Sequence, residues 1–307
     1  MIWWVLAVLV LTVLLAPFLA EALRPGLSDA ARADAPGHMA DLPLGPTHYQ
    51  WLGAQAGPLI VCVHGLTTPS FVWHPIAAGL GRLGFRVLVY DLYGRGWSAR
   101  PRGAQDSDFF VTQLQDLLDA LGIDEPFTLM GYSMGGVISA AFAARHADRL
   151  RQLVLLAPAG MGHDLGPIAR LVVNHDWLGR WLFMALYGRQ FRAATEAERG
   201  LETSIDNVVD HQQAELRWRG FRAAVLASLR GALDEDMAPV HRAIAATDLP
   251  VLAIWAREDE VIPISGMGLL AAWNPTARQE VVPDAGHALA YTHDAEVVDL
   301  LDVLLTR

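Results

Sequence analysis

The stretch LMGYSMGG, residues 129–136, decides how this sequence is interpreted. It continues the apolar run Phe127–Met130 and leads directly into an alanine-rich pattern with helical spacing. Ser133 therefore stands between glycines at the junction of a predicted strand and a predicted helix. A serine in such a place either belongs to a tight turn that needs small residues or is a nucleophile that a substrate can reach. The remaining motifs of the sequence distinguish between these two interpretations.

Composition limits the class of protein. With 307 residues, 53% of them hydrophobic and 18% charged, the chain can form one large α/β domain with an insertion or two small domains. The net charge of −10 and the absence of lysine argue against a nucleic-acid surface, which needs clustered basic side chains. The single cysteine, Cys62, excludes an internal disulfide and a cysteine-built zinc site. Because Cys62 lies inside an apolar run, we expect it to be buried.

The first 23 residues form a separate segment, 1–23. Ile2–Ala20 contains no charged residue and, as a helix, is almost long enough to cross the hydrocarbon core of a membrane. The alternative is a signal peptide cleaved at Ala20–Ala22, which would give a secreted or periplasmic protein. Since no basic residue precedes the apolar stretch, we expect a retained membrane anchor. The orientation of the protein in the membrane stays open.

Short apolar runs alternate with helical patterns in the rest of the chain. The apolar runs predict buried parallel strands, and the amphipathic stretches Asp108–Leu121 and Gly135–His146 predict helices that cover them. The expected fold class is therefore α/β, with a mostly parallel central sheet and helices on both faces. The predicted strands are Leu59–Val63, Arg86–Tyr90, Phe127–Tyr132, Gln152–Ala157, Val251–Ala256 and Arg278–Pro283.

The expected domain organisation is a core with one insertion. Residues 24–46, rich in Ala, Gly, Pro and Asp, predict a linker, whereas 47–159 and 237–307 predict the α/β core. Residues 160–236 show helical spacing without a convincing strand and predict an inserted helical cap. Large apolar side chains recur in the cap at helical spacing and either pack on the core or line an apolar substrate tunnel. They are Trp177, Trp181, Leu182, Phe183 and Leu186.

A serine hydroxyl is a useful nucleophile only when a base takes its proton and a third group orients the base. Residues 131–135 fit the Gly-x-Ser-x-Gly pattern of a turn that exposes a nucleophile between a strand and a helix. This pattern makes Ser133 the candidate nucleophile. His287 is the candidate base because it lies in a loop between the last predicted strand and a helical pattern.

The candidate acid is Asp259, in the turn that follows the strand Val251–Ala256. Its neighbours Glu258 and Glu260 are alternatives, because three successive acids also occur in solvated turns. Asp259 is preferred, since the chain order serine, aspartate, histidine is one of the orders in which such triads occur. Each member would then lie on a loop at the end of a strand.

Two backbone N–H groups complete the expected site. Met134 follows the candidate nucleophile at the start of a helix, and Leu66 follows the strand Leu59–Val63. Their N–H groups are the expected donors to an oxyanion that develops during the reaction. We expect His64 to fix the loop of Leu66 through hydrogen bonds. The segment 94–96, Gly-Arg-Gly, lacks the further residues of a phosphate-binding loop and predicts a structural turn.

Together these motifs resemble the α/β-hydrolase superfamily from about residue 47 to the C-terminus. The resemblance implies a serine hydrolase that cleaves carboxylic esters, with Ser133, His287 and Asp259 as its triad. The motifs that carry the resemblance are His64-Gly65, Asp91 with Gly94, Gly96 and Ser98, Gly131-x-Ser133-x-Gly135, Asp259, and Gly286-His287.

Within the superfamily, the sequence resembles serine carboxylesterases and monoacylglycerol-lipase-like enzymes, with carbon–carbon bond hydrolases and cofactor-free haloperoxidases as relatives. This similarity implies a small-molecule acyl ester as substrate and neither a cofactor nor a metal. The apolar anchor and the aromatic residues of the cap favour a substrate of the medium-chain acyl or monoacylglycerol type. A hydrolase of carbon–carbon bonds with the same fold and a non-catalytic, hydrolase-like binding protein are the alternatives. The sequence leaves the oligomeric state open.

Overall fold

The chain folds around an eight-stranded sheet with the strand order β1-β2-β4-β3-β5-β6-β7-β8. The computed structural model describes residues 1–162 and 166–305. β1 and β2 form an antiparallel hairpin and β2 is antiparallel to β4, whereas β3 to β8 are parallel to one another. The strands are β1 His38–Leu42, β2 Gly45–Gly53, β3 Leu59–Val63, β4 Arg86–Tyr90, β5 Phe127–Tyr132, β6 Leu150–Leu156, β7 Val251–Ala256 and β8 Arg278–Val282.

Helices cover both faces of this sheet. Helices α4, α5, α10 and α11 pack on one face, and α3, α12 and α13 pack on the other. The expected α/β fold with a mostly parallel sheet is therefore confirmed. The helices are α1 Ile2–Ala22, α2 Asp29–Arg32, α3 His74–Arg82, α4 Ser107–Ala120, α5 Met134–Arg145, α6 Gly166–Asn174, α7 Asp176–Ala197, α8 Val208–Ala214, α9 Phe221–Leu229, α10 Ala238–Ala245, α11 Gly266–Trp273, α12 Leu289–Thr292 and α13 Asp294–Leu305.

The central strand β3 shows why its sequence is apolar throughout. Leu59, Val61 and Val63 pack into the hydrophobic cluster on one face, while Ile60 and Cys62 pack into the cluster on the other. All five side chains are buried. A strand between two helical layers has no solvent-facing side, so the alternation of polar and apolar residues disappears. Cys62 is buried, as its apolar surroundings predict.

The expectation of a linker over residues 24–46 is wrong at its C-terminal end. That range contains the short helix α2 and the whole of β1, and β2 begins at Gly45. In β1 only Ala40 and Leu42 are buried, on alternate positions, as is normal for an edge strand with one solvated face. Two buried side chains among many small and polar residues gave too weak a pattern to predict a strand.

The described part of residues 160–236 forms helices α6 to α9. Buried side chains of α6, α7 and α9 take part in a third hydrophobic cluster, whereas Val208 and Val209 of α8 pack into the core cluster on the face covered by α3. Within the third cluster, Phe183, Tyr187 and Phe191 stack along α7, with successive ring centroids 4.3 Å and 5.6 Å apart. Spacing of four residues places these rings on one face of the helix. The cap therefore has a hydrophobic core of its own.

The large side chains expected at helical spacing in α7 have different surroundings. Phe183 is buried in the cap cluster, and Leu182 packs against that cluster. Trp177 and Leu186 are exposed. The indole of Trp181 donates a hydrogen bond of 3.3 Å to the carbonyl oxygen of Val13 in α1. Packing inside the cap thus explains Phe183 and Leu182, and it does not explain Trp177, Trp181 and Leu186.

Among the described residues, α1 is the one helix that is long and apolar enough to cross a membrane, with a mean hydropathy of 2.6. Length and composition alone do not distinguish an anchor from a signal sequence. Its side chains are almost all exposed to the surroundings. Besides the contact at Val13, the guanidinium of Arg180 lies 5.9 Å from the ring centroid of Phe18. α1 therefore lies alongside cap helix α7.

The C-terminal end of α1 is attached to the cap by polar contacts. Glu21, 9% exposed, accepts a hydrogen bond of 2.8 Å from the backbone N–H of Gly220. Its second carboxylate oxygen lies 3.1 Å from Arg24 Nε and 3.9 Å from Arg222 Nε. Arg24 in turn donates to the carbonyl oxygen of Leu216. This end of the apolar helix is thus bound to the cap at the N-terminal end of α9 and in the turn before it.

Candidate active site

Ser133 lies in a strained turn between β5 and α5. Its backbone has φ 55° and ψ −121°, in the positive-φ region that non-glycine residues seldom adopt. The backbone around it is closely packed, because a Cβ atom on Gly135 would lie 2.1 Å from the carbonyl oxygen of Val63. A Cβ atom on Gly131 would lie 2.3 Å from the carbonyl oxygen of Gly135. The two glycines therefore permit the contacts that hold the serine in this conformation.

The structure brings the three expected side chains together. Ser133 Oγ lies 3.1 Å from His287 Nε2, and His287 Nδ1 lies 2.8 Å from Asp259 Oδ2. The three residues follow β5, β8 and β7, respectively. Because these strands are parallel, their carboxyl ends meet at the same edge of the sheet. The topology of the sheet thus brings together three residues that are far apart in the sequence.

Asp259 is held much more firmly than its acidic neighbours. Its Oδ1 atom accepts hydrogen bonds from the backbone N–H groups of Val261 (2.8 Å) and Ile262 (2.7 Å). The Asp259 side chain is 1% exposed, whereas Glu258 and Glu260 are exposed. A carboxylate with one oxygen on two backbone donors and the other on an imidazole has a single orientation. Of the three acids in this turn, the structure places Asp259 against His287.

The imidazole of His287 is also positioned from the side of Tyr132. The Tyr132 hydroxyl donates a 2.6 Å hydrogen bond to the carbonyl oxygen of His287. The two rings are stacked with centroids 5.3 Å apart. Burial raises the pKa of Tyr132 well above its usual value, so the phenol remains protonated and can donate. No sequence motif predicts this role for Tyr132, although it occupies the position before the candidate nucleophile.

The two expected oxyanion donors flank Ser133. Met134 is the first residue of α5, and the N–H groups at the start of a helix have no partner within the helix. The loop of Leu66 adjoins the serine directly, because a Cβ atom on Gly65 would lie 3.2 Å from Ser133 Cβ. N–H groups placed in this way can bind negative charge on the oxygen of an acyl carbon that is bonded to Ser133 Oγ.

His64 fixes the direction of the Leu66 N–H group. The backbone N–H of Leu92 donates to His64 Nε2 (2.9 Å), so the proton of a neutral ring lies on Nδ1. Nδ1 then donates to the carbonyl oxygen of Gly65 at 2.8 Å. The C=O of Gly65 and the N–H of Leu66 belong to one planar peptide and point in opposite directions. Burial lowers the pKa of His64 to about 4, which keeps the ring neutral near pH 7.

Asp91 connects the loops behind the site and is not part of it. Its carboxylate accepts hydrogen bonds from His48 Nδ1 (2.8 Å) and from the backbone N–H groups of Ser70 (2.9 Å) and Trp97 (2.9 Å). Burial by itself would raise the pKa of Asp91, but the hydrogen bond and charge of His48 hold it well below its usual range. This network is consistent with a structural turn at residues 94–96. The network does not explain why an arginine, Arg95, occupies the middle of that turn.

The chain belongs to the alpha/beta hydrolase fold family, whose profile matches residues 58–294. It is 33% identical over 233 residues to 2-hydroxymuconate semialdehyde hydrolase from Pseudomonas sp. (strain CF600), a match of 72% of this chain and 77% of the relative. It is 27% identical over 255 residues to pimeloyl-(acyl-carrier protein) methyl ester esterase from Aeromonas hydrophila, a match of 80% of this chain and 94% of the relative.

A solved structure extends the similarity of the fold over almost the whole chain. It is that of a membrane phospholipase A described as a novel bacterial virulence factor. Its TM-score is 0.70 at 18% sequence identity, and the match covers 99% of this chain and 96% of that one. With the family match, these similarities identify the chain as a hydrolase of this fold.

Proposed function

We propose that this chain is a serine hydrolase that cleaves carboxylic esters through an acyl-enzyme. The observation that carries the proposal is the hydrogen-bonded series from Asp259 through His287 to Ser133 Oγ. A base within reach of a serine, oriented by a buried carboxylate, is the arrangement that activates this nucleophile. The similarity to a methyl ester esterase adds support for an ester substrate.

In the proposed mechanism, His287 Nε2 takes the proton of Ser133 as Oγ attacks the ester carbonyl. Asp259 keeps Nδ1–H of the imidazole directed at itself and stabilises the imidazolium that forms. The N–H groups of Leu66 and Met134 bind the oxyanion of the tetrahedral intermediate. The intermediate then collapses, and His287 gives its proton to the departing alcohol. Water, with His287 as base, hydrolyses the acyl-enzyme and releases the acid.

Medium-chain acyl esters or monoacylglycerols are the proposed substrate class. The aromatic cluster of the cap and the apolar helix α1 beside it favour a lipidic substrate over a short, polar one. A long acyl chain gains binding free energy from burial at about 25 cal/mol per Å² of apolar surface. A preference for acetyl over octanoyl esters would contradict this part of the proposal.

Membrane attachment through α1 is part of the same proposal. The contacts of Glu21 favour a retained anchor over a cleaved signal peptide. Cleavage after Ala22 would remove Glu21 and leave the N–H of Gly220 and the guanidinium of Arg222 without this carboxylate. Signal peptides are removed before the mature protein is complete, so buried contacts from their last residues to a distant helix are not expected.

Hydrolysis of a carbon–carbon bond is the second candidate, and a specific observation favours it. The chain is 33% identical to a 2-hydroxymuconate semialdehyde hydrolase, which is a hydrolase of this kind. The same serine, histidine and aspartate would serve that reaction. Fold and triad alone therefore do not separate the two activities.

A substrate panel separates them. The purified protein is assayed with p-nitrophenyl esters from acetyl to dodecanoyl, a monoacylglycerol and a vinylogous 1,5-diketone, each beside the Ser133→Ala variant. Ester hydrolysis with a maximum at intermediate chain length, lost in the variant, supports the proposal. Cleavage of the diketone without ester hydrolysis supports the second candidate. Inactivity of a folded wild type on every substrate would contradict both.

A further inference from the structure

Arg95 is completely buried, and each of its five N–H groups has an acceptor. Two acceptors lie outside the cap. Nη1 donates to the carbonyl oxygen of Tyr93 (3.0 Å) and to Gln105 Oε1 (2.7 Å). Two lie on cap helix α9, where Nη2 donates to the carbonyl oxygen of Ala224 (3.4 Å) and to Ser228 Oγ (2.8 Å). The fifth bond is made to a residue of the candidate active site.

That fifth bond runs from Arg95 Nε to the carbonyl oxygen of Leu66, at 2.9 Å. His64 binds the carbonyl oxygen of Gly65, the preceding one in the chain. The peptides on both sides of Leu66 are therefore held by side chains, one from His64 in the same loop and one from Arg95 in another loop. One of these side chains, Arg95, is at the same time bound to the cap.

All five acceptors of Arg95 are uncharged. A buried guanidinium without a hydrogen-bonded carboxylate is costly, and burial lowers the pKa of Arg95 to about 9. A turn between two glycines needs no arginine, because the glycines alone permit it. The five donors in a rigid plane are the property that a smaller or more flexible side chain lacks. The energetic cost of burying the Arg95 guanidinium indicates that its five donors in one plane are needed at this position.

The side chain of Leu66 reinforces the connection between cap and core. It packs against the hydrophobic cluster of the core and also against the cluster of the cap. Close approach of α9 to the arginine turn is possible because Gly94 has no Cβ, which would lie 2.3 Å from Ala224 Cβ. Leu66 thus contacts the cap through its side chain and, through Arg95, by its carbonyl oxygen.

We propose that Arg95 is a positioning residue that holds the Leu66 N–H group in line with Ser133 and makes this alignment depend on the position of cap helix α9. This inference rests on the proposed function, in which Leu66 is an oxyanion donor. Movement of α9 away from the core pulls on Arg95 and turns the Leu66–Thr67 peptide, whose carbonyl oxygen Arg95 holds. This rotation changes the backbone angles at Leu66 and so shifts the N–H group of the preceding Gly65–Leu66 peptide. The oxyanion site is therefore complete only when the cap is in place.

The test compares Arg95→Met with Arg100→Met. Methionine keeps an unbranched apolar chain and removes all five donors. Arg100 belongs to the same loop and donates to the carbonyl oxygens of Gly96 and Ser98 and, at 3.4 Å, to the carboxylate of Glu215 in the cap, with no bond to Leu66. It therefore controls for loss of an arginine that joins this loop to the cap without binding Leu66. Both variants are assayed on the best ester of the panel and titrated with a trifluoromethyl ketone, which forms a tetrahedral adduct with an activated serine.

Arg95→Met is expected to lower kcat about 10- to 100-fold with little change in KM, since removal of a whole oxyanion donor costs about 10²–10³-fold. Affinity for the ketone falls by a similar factor. In Arg100→Met, kcat, KM and ketone affinity change together by less than about threefold. Equal effects of the two variants, or a rise in KM alone for Arg95→Met, would overturn the inference.

A second variant covers the case in which Arg95→Met does not fold. Ser228→Ala removes the bond from Arg95 to the cap serine, together with the bond that this serine donates to Gln105, and leaves the Leu66 bond in place. If α9 is coupled to the oxyanion site, this variant loses kcat and ketone affinity by the same severalfold factor at constant KM. Unchanged kcat in Ser228→Ala would overturn the coupling. A wild type inactive on every substrate would instead contradict the proposed function itself.

Discussion

His287 and Asp259 are paired at 2.8 Å although their residues follow different strands, β8 and β7. The backbone maintains this pairing, because the N–H of Glu258 donates to the carbonyl oxygen of Ala285 at 2.8 Å. The two loops are thus joined by a backbone hydrogen bond as well as by the side-chain pair. A carboxylate fixed in this way selects the tautomer of the histidine and its direction towards Ser133.

Replacement of Asp259 tests the choice among the three neighbouring acids. Asp259→Asn should lower kcat about 10⁴-fold with little change in KM, as the equivalent change does in serine proteases. The amide presents an N–H group to the imidazole and favours the wrong tautomer. Glu260→Gln, at the exposed neighbouring position, should keep at least half of the activity. Steady-state ester hydrolysis measures both, and equal losses would refute the assignment.

Gly135→Ala tests the close packing around the nucleophile. The new Cβ would lie 2.1 Å from one backbone oxygen and 2.7 Å from the next, so the turn must shift. We expect a loss of about 1–3 kcal/mol in the free energy of unfolding and of most activity. Gly268→Ala is the matched control, because nothing lies within 4 Å of its added Cβ in α11. Helix propensity predicts a gain of about 0.5–1 kcal/mol there. Denaturant titration measures the free energy of unfolding of both variants beside that of the wild type.

The buried, neutral His64 makes stability depend on pH. Its pKa is about 4 in the folded protein and near 6.5 in the unfolded chain, so the unfolded chain binds more protons between these values. Stability is complete above pH 6.5 and falls as the pH drops towards 4. Each buried histidine of this kind contributes a slope of up to about 1.4 kcal/mol per pH unit.

His64→Asn should remove this contribution. The free energy of unfolding is measured for both proteins between pH 4 and pH 8, and their difference should shrink as the pH falls below 6.5. His241, whose pKa burial also lowers to about 4, gives the companion variant His241→Asn with a similar change of slope. Wild-type and His64→Asn curves that run parallel through this range would contradict the argument.

Glu21→Ala tests whether the end of α1 belongs to the folded enzyme. The change leaves the N–H of Gly220 and the Arg222 guanidinium without this partner, which costs about 1–3 kcal/mol. Thermal unfolding in detergent should therefore occur at a lower temperature, whereas Leu23→Ala, at an 85% exposed position, should have no effect. The mass of the mature chain from membranes should include residues 1–22. A mature chain that begins at Leu23 would refute the retained anchor.

Much of the fold follows from the sequence because buried parallel strands have continuous apolar runs. The predicted bounds of β3, β4, β5 and β7 agree with the structure, and β6 begins two residues earlier than predicted, at Leu150. The hairpin of β1 and β2 was missed because β1 buries only two alternate side chains and β2 mixes buried with partly or fully exposed positions. Local pattern suffices for strands with a continuous apolar run and fails for this hairpin, which has none.

The positions of Ser133, Asp259 and His287 at strand ends follow from the sequence, since the topology of a parallel sheet brings such ends together. The hydrogen bond between Arg95 and Leu66 could not be predicted from the sequence. It depends on a cap helix that is more than a hundred residues away in the chain. A charged residue between two glycines is the only local signal, and it is equally typical of an exposed turn.

The most direct test of the central claim is labelling with a fluorophosphonate probe, which reacts with an activated serine whatever the natural substrate is. Wild-type protein, Ser133→Ala and Ser139→Ala are treated in parallel, and the modified peptide is identified by mass. Ser139 is a buried serine of α5 and serves as the control. We expect labelling of wild type and Ser139→Ala on residue 133 and loss of labelling in Ser133→Ala. Ester turnover should fall about 10⁴–10⁶-fold in that variant. Absence of labelling in folded wild-type protein, or labelling that persists in Ser133→Ala, would contradict the account.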